Sequence, residues 1–223
     1  MDATAQKPPR QDNSAAWPAN IFPHHRTELE RSGLTPETVR AAGLYSEAAL
    51  PNITAILGCK RFPQRCLPAI VFPFVDAEGR NGYARIKPDN PRLDNNKKPI
   101  KYESPRGKQN QIYIPPGVAE KLSIAEQELF LTEGEKKSLC ATQNSFPCIG
   151  LVGVFGWKPA KSETLTPALE RVEWKGRRVF INFDSDISEK PEVQDAESRL
   201  AAQLQKRGAI VKVVRLGKPA IIG

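Results

Sequence analysis

Two stretches of the sequence end in acids where apolar strands should end. "LFLTEGEKKS" (129–138) runs into Glu133 and Glu135, and "RRVFINFDSD" (177–186) runs into Asp184 and Asp186. Carboxylate oxygens suit Mg²⁺ or Mn²⁺, hard cations that take one or two protein carboxylates and complete their shell with water and substrate phosphates. Two aspartates spaced i, i+2 just after a strand can turn toward one point, and a neighbouring strand can supply a third carboxylate. The chemistry such a centre would do is phosphoryl transfer. A bare Asp-x-Asp is common, however, and acids often sit in the first turn of a following helix, where the helix dipole favours negative charge. Glu135 reads most simply as such a first-turn acid.

A polyanion would complement these acids, and the charge distribution suits one. The formal net charge is +8, and between Gly79 and Ile112 nine basic residues (Arg80, Arg85, Lys87, Arg92, Lys97, Lys98, Lys101, Arg106, Lys108) face three acids (Asp89, Asp94, Glu103), so most of the excess sits there. The ordinary reading of such a run is a solvated loop-rich face; the sharper one is a phosphate contact that releases counterions. Tyr83, Tyr102 and Tyr113 are interleaved, positions from which they would stack on bases or face a core.

Other classes are disfavoured. No run approaches the roughly 18 apolar residues that span a bilayer, and "MDATAQKPPRQDNS" lacks a signal peptide's apolar core, so the expected location is the cytoplasm. The spacings of Cys59, Cys66, Cys140 and Cys148 match no disulfide framework or CxxC zinc pattern. Zinc is not expected; the one set worth weighing is Cys59, Cys66, His24 and His25. "GLVGVFG" has glycines but lacks the GxGxxG of a dinucleotide-binding metabolic enzyme.

The elements that must position these residues fall into four segments. Residues 1–22 read as a disordered arm, rich in Pro, Gln, Asn and Ala. Residues 23–60 read as a small helical subdomain: "HHRTELERSG" stops at Gly33, "LTPETVRAAG" starts with Thr35 as N-cap and Pro36 at the first helical position, and a third short helix runs through "SEAAL". Residues 61–122 read as a basic α+β subdomain, in which "CLPAIVFPFVD" and "YARIK" form a hairpin, "PDNPRLDNNKKP" is irregular and "QIYIPPG" is a short strand. Residues 123–217 alternate strand and helix, with Val193, Ala196, Leu200 and Leu204 striping the longest helix. Continuously apolar strands alternating with helices imply a mostly parallel sheet covered on both faces, whose ligands bind beyond the carboxyl ends of the strands. Glu133, Asp184 and Asp186 occupy such ends.

The order of these features resembles the TOPRIM domain of bacterial primases, topoisomerases and some nucleases: a strand ending in Glu-Gly, a glycine-containing strand "IGLVGVFG", then a strand ending in Asp-x-Asp. Upstream, "IVFPFVDAEGRNGYARIK", "KPIKYESP" and "QIYIPPG" look like the region preceding TOPRIM in bacterial replicative primases. With "SGLTPETVRAAG", the chain also resembles primase-like modules of plasmid, phage and integrated-element replication proteins. The fold implied is α/β, a TOPRIM domain with a Rossmann-like, mostly parallel sheet flanked by helices, preceded by a small α+β subdomain and short helices.

The resemblance implies Glu133, Asp184 and Asp186 as catalytic residues and ligands of Mg²⁺ or Mn²⁺. It implies Arg85 and Lys101 as holders of template or nucleotide phosphate, with Lys136, next to the first acid, a lesser candidate; Lys87, Lys97, Lys98, Arg106 and Lys108 of the basic run are expected as further nucleotide or nucleic-acid contacts. The implied function is a nucleotidyltransferase that makes RNA primers on single-stranded DNA from ribonucleoside triphosphates, with a replicative helicase as partner in cis or in trans. The alternatives are a TOPRIM-type nuclease and a non-catalytic DNA-binding or helicase-loading module. The sequence departs from the primase pattern in two places: no cysteine and histidine cluster resembling a primase zinc module precedes this region, and "DSDISEKPEV" has no glycine between the aspartates. A topoisomerase acting alone is disfavoured, because no strand-passage domain fits within 223 residues.

Overall fold

The structure, a computed structural model, describes residues 16–76, 79–183 and 191–215. The first helices follow their punctuation. α1 (Pro23–Arg31) is followed by Gly33 at φ +75°, the left-handed conformation that ends helices at low cost in glycine. α2 (Pro36–Ala41) starts at Thr35, whose hydroxyl accepts from the Thr38 N–H at 3.3 Å.

The third expected helix is displaced. "SEAAL" is not helical: Tyr45–Glu47 form β1, and the helix α3 (Leu50–Leu57) begins only after it. Tyr45 and Ser46 pair with Val71 and Ile70, while the Glu47 carboxylate accepts from the Ala49 N–H and the Asn52 amide, both at 2.8 Å. Sheet pairing and a capping carboxylate thus override the helical preference of Glu and Ala.

β2 (Ala69–Asp76) and β3 (Gly79–Pro88) complete an antiparallel sheet in the order β1-β2-β3. Ile70, Phe72 and Phe74 pack with Leu29, Val39 and Leu44, whereas Ala69 and Val71 pack with Ile53, Leu57 and Phe62. Helices cover both faces, which is why this antiparallel strand reads as a continuous apolar run.

The second sheet is parallel. β4 (Leu129–Glu133), β5 (Cys148–Leu151), β6 (Arg178–Asn182) and β7 (Ile210–Val213) lie in the order β5-β4-β6-β7, joined by α4 (Glu135–Gln143), α5 (Pro167–Glu170) and α6 (Pro191–Lys206). Leu131, Ile149, Leu151, Val179 and Ile181 form its core with Trp157 and Trp174, and Leu200 and Leu204 of the expected stripe are fully buried there. Crossover helices make this arrangement α/β, as expected.

Two sequence expectations need correction. "QIYIPPG" forms no strand: Tyr113 makes only an isolated antiparallel bridge to Gly150, with N–O distances of 2.7 and 2.9 Å, because Pro115 and Pro116 have no N–H to extend it. The strand expected through "PCIGLVGV" stops at Leu151, before the turn at Gly153, φ +77°. Among the described residues no helix is long and apolar enough to cross a membrane.

Candidate active site and basic face

Glu133 ends β4 and is half-buried. Gly134 follows at φ +89° and ψ 160°, a conformation essentially reserved for glycine, so the chain turns sharply from strand into α4. Three contacts pin the turn: Gly134 N–H donates to Leu151 O at 2.9 Å, and the Ser138 hydroxyl lies 3.2 Å from Gly134 O and 2.9 Å from Glu135 O. Gly150 lets β5 approach this closely, since a Cβ there would stand 2.7 Å from Ser138 Oγ and 2.8 Å from Gly134 O.

β4 and β6 are neighbours in parallel register, from Leu129 opposite Val179 to Thr132 opposite Asn182. Glu133 therefore stands at the carboxyl end of β4, beside the end of β6 from which the sequence continues through Phe183. Asp184 and Asp186 lie outside the described residues.

Arg85 and Glu135 are buried together. Arg85 Nη1 donates to Glu135 Oε1 at 2.6 Å, Arg85 Nε donates to Ser104 Oγ at 3.0 Å, and the guanidinium lies 5.1 Å from the Tyr102 ring centroid. Glu135 Oε2 is buried without a hydrogen-bond partner. Burial, and then the Glu135 charge, raise the pKa values of Tyr102 and Tyr113, so both phenols stay protonated in the neutral range. Glu135 thus does more than the first-turn role read from sequence. The available signal was an acid at the first helical position opposite an otherwise unbalanced basic segment.

Lys87 and Lys136 converge on one carboxylate, that of Glu28 on α1, each at 2.7 Å. Burial opposes the charge on Glu28, but hydrogen bonds from Lys136 and Lys87 outweigh it and hold the pKa below the ordinary carboxylate value. Nothing in the sequence marked Glu28, because its partners lie 59 and 108 residues away.

The remaining candidate basic residues point to solvent. Lys97, Lys98, Lys101, Arg106 and Lys108 are exposed. The irregular stretch folds back on itself: Asp94 Oδ1 accepts from the Asn96 and Lys98 N–H groups at 2.8 Å, and Leu93 bridges to Pro99. Glu103 then pairs with Ile86 of β3 through backbone bonds of 2.9 and 3.1 Å and ties Arg92 by its carboxylate, fixing Lys101 and Tyr102 beside the sheet. Arg106 and Lys108 line a groove of about 260 Å³ with Tyr45, Phe74 and Tyr83. The set of Cys59, Cys66, His24 and His25 is not assembled: among the described residues the histidines group with Asp89 and with neither cysteine.

Residues 120–220 match the family model described as "Domain of unknown function (DUF3854)". No curated protein matches the chain. Among solved structures, the chain is similar to the Aquifex aeolicus primase zinc-binding and RNA polymerase domains, with TM-score 0.59, 15% identity, and coverage of 89% of this chain and 51% of that one. It is similar to a DNA primase domain from Pseudomonas aeruginosa, with TM-score 0.57, 19% identity, and coverage of 86% and 64%. A DnaG primase catalytic domain bound to single-stranded DNA gives TM-score 0.56, 16% identity, and coverage of 89% and 66%. The chain spans about half to two thirds of the length of these structures. The α/β architecture thus matches the fold of bacterial primase catalytic cores.

Proposed function

We propose that the protein is a primase-like, metal-dependent nucleotidyltransferase of the TOPRIM type, which makes RNA primers on single-stranded DNA. The observation that supports this reading is the parallel register of β4 and β6, which brings the carboxyl end of β4, with Glu133, beside that of β6, after which the sequence continues to Asp184 and Asp186. Similarity in fold to primase catalytic domains supports it. The setting we assign is replication of a plasmid, phage or integrated element in the cytoplasm, with a replicative helicase as partner.

The donor set fits the ion. Glu133, Asp184 and Asp186 offer only carboxylate oxygens, suited to Mg²⁺ or Mn²⁺. When bound, the ion would neutralise triphosphate charge and favour deprotonation of the attacking 3′-hydroxyl. The protein's own share is positioning: Glu133 is held at the end of β4, and exposed Lys101, Lys97, Lys98, Arg106 and Lys108 attract the phosphates. Arg85 acts one step back, by holding Tyr102, Ser104 and Glu135 behind Lys101.

A second reading, a non-catalytic DNA-binding or helicase-loading module, is favoured by one observation. Arg85, Lys87 and Lys136 already hold protein carboxylates rather than facing outward.

The deciding experiment is primer synthesis on single-stranded DNA with four labelled ribonucleotides and Mg²⁺ or Mn²⁺. Short products should vanish with chelator and in Asp184→Ala, while that variant keeps its fold; synthesis retained by Asp184→Ala defeats the assignment. Cleavage of labelled DNA with Mn²⁺ and no nucleotides, lost in Glu133→Gln, would mean a nuclease. No products, with chelator-indifferent DNA binding whose salt slope falls by about 0.7 for each phosphate contact removed from the Lys97–Lys108 face, would mean the binding module.

A further inference from the structure

At the start of α1, both histidines of the chain meet at one carboxylate. His24 Nε2 lies 2.8 Å from Asp89 Oδ2, and His25 Nε2 lies 2.7 Å from Asp89 Oδ1. Consecutive residues of a helix normally diverge, yet these two rings sit 4.1 Å apart with one ligand-capable atom from each residue within 4.8 Å of the others. Asp89 follows β3 directly and is anchored by its N–H to Pro68 O at 3.0 Å.

The cluster is oriented from behind. His25 is buried, its Nδ1 is 2.7 Å from Ser46 Oγ, and Phe22 stacks on its ring at 5.7 Å. Ser46 Oγ already accepts the Phe22 N–H at 2.8 Å and keeps a second lone pair. His25 Nε2–H donates to Asp89; because Ser46 Oγ can equally accept a hydrogen bond from Nδ1–H, the other tautomer can form and free the Nε2 lone pair for an ion. A hydrogen-bond partner on the far nitrogen is the usual support of a metal-binding histidine. The front is open, since the His24 side chain is 55% exposed and that of Asp89 24%.

We propose that His24, His25 and Asp89 bind one divalent transition metal of the Zn²⁺ or Co²⁺ class, with two imidazole nitrogens, one carboxylate and solvent in the open position. Two nitrogens and one oxygen suit such ions better than Mg²⁺. Metal–ligand bonds of about 2.0–2.1 Å at tetrahedral angles separate donor atoms by about 3.3 Å, so the present hydrogen-bond spacings must open slightly. Exposed His24 can supply that movement. The ion would clip α1 to the end of β3, next to the Glu28–Lys87 pair that joins the same two elements.

The test uses the tag-free full chain, freed of metal by chelator and dialysis and then titrated with Co²⁺ and Zn²⁺. Absorption of bound Co²⁺, calorimetry and imidazole NMR are read in parallel. With excess Mg²⁺ present to occupy the acidic centre, one equivalent should bind, both histidine ring signals should shift, and His24→Ala and Asp89→Asn should each weaken that binding at least 10-fold. Because His24 is exposed, His24→Ala tests the site without emptying the core. Cys59→Ser with Cys66→Ser, and separately Glu133→Gln, should leave binding unchanged. Absence of a bound equivalent, or binding that survives His24→Ala and Asp89→Asn, overturns the proposal. So does loss of binding in the cysteine variant or in Glu133→Gln.

Discussion

Arg85 on β3 and Glu135 at the first position of α4 form a 2.6 Å ion pair that joins the antiparallel sheet to the parallel one. Arg85 is 9% exposed and Glu135 1%, so neither charge has water in reserve. Removing one partner strands the other in a low-dielectric site, at a cost of about 3–5 kcal/mol. Arg85→Ala should lower stability by about that much in urea unfolding. The double variant Arg85→Met, Glu135→Leu should recover most of the loss, because the pair itself contributes little net stability once desolvation is counted. A loss under about 1 kcal/mol in Arg85→Ala would mean that the pair does not lock the two sheets.

Gly150 sets how closely β5 approaches the turn after Glu133. A methyl group there meets Gly134 O at 2.8 Å and Ser138 Oγ at 2.7 Å. Gly150→Ala should therefore destabilise by about 1–3 kcal/mol, the usual cost of forcing extra volume into a packed site. Adding Ser138→Ala should recover only part of it, because the Gly134 carbonyl is backbone and stays. Full recovery in the double variant would show that the hydroxyl alone was the obstacle.

Glu28 makes stability depend on acidity. Its folded-state pKa lies below the ordinary 4.5 because Lys136 and Lys87 outweigh its burial. A depressed carboxylate pKa contributes stability that is present above the unfolded-state value and is lost as pH falls through the folded-state value. The urea midpoint of the wild type should thus fall between about pH 5 and pH 3 more steeply than that of Glu28→Gln. Parallel curves for the two proteins would remove Glu28 as a source of acid sensitivity.

Local signals carried most of the element order. Gly33 and Gly43 stop helices, Pro36 starts one, and apolar runs before Glu133 and Asp184 mark strands, because each acts through its immediate neighbours. The failures came where partners are distant. Tyr45–Glu47 is a strand only because β2 lies beside it, and "QIYIPPG" contributes a bridge only because β5, distant in sequence, runs past Tyr113.

The candidate site divides along the same line. Residue type and short spacing are enough to put acids after two apolar runs and to concentrate positive charge in one segment. Packing of the whole chain decided that β4 and β6 are neighbours and that Arg85 turns inward to Glu135. It likewise decided that Lys87 and Lys136 share Glu28, and that Asp89 joins two histidines more than 60 residues before it. Such pairings depend on which surfaces the packed sheets and helices bring together, and no local pattern encodes that.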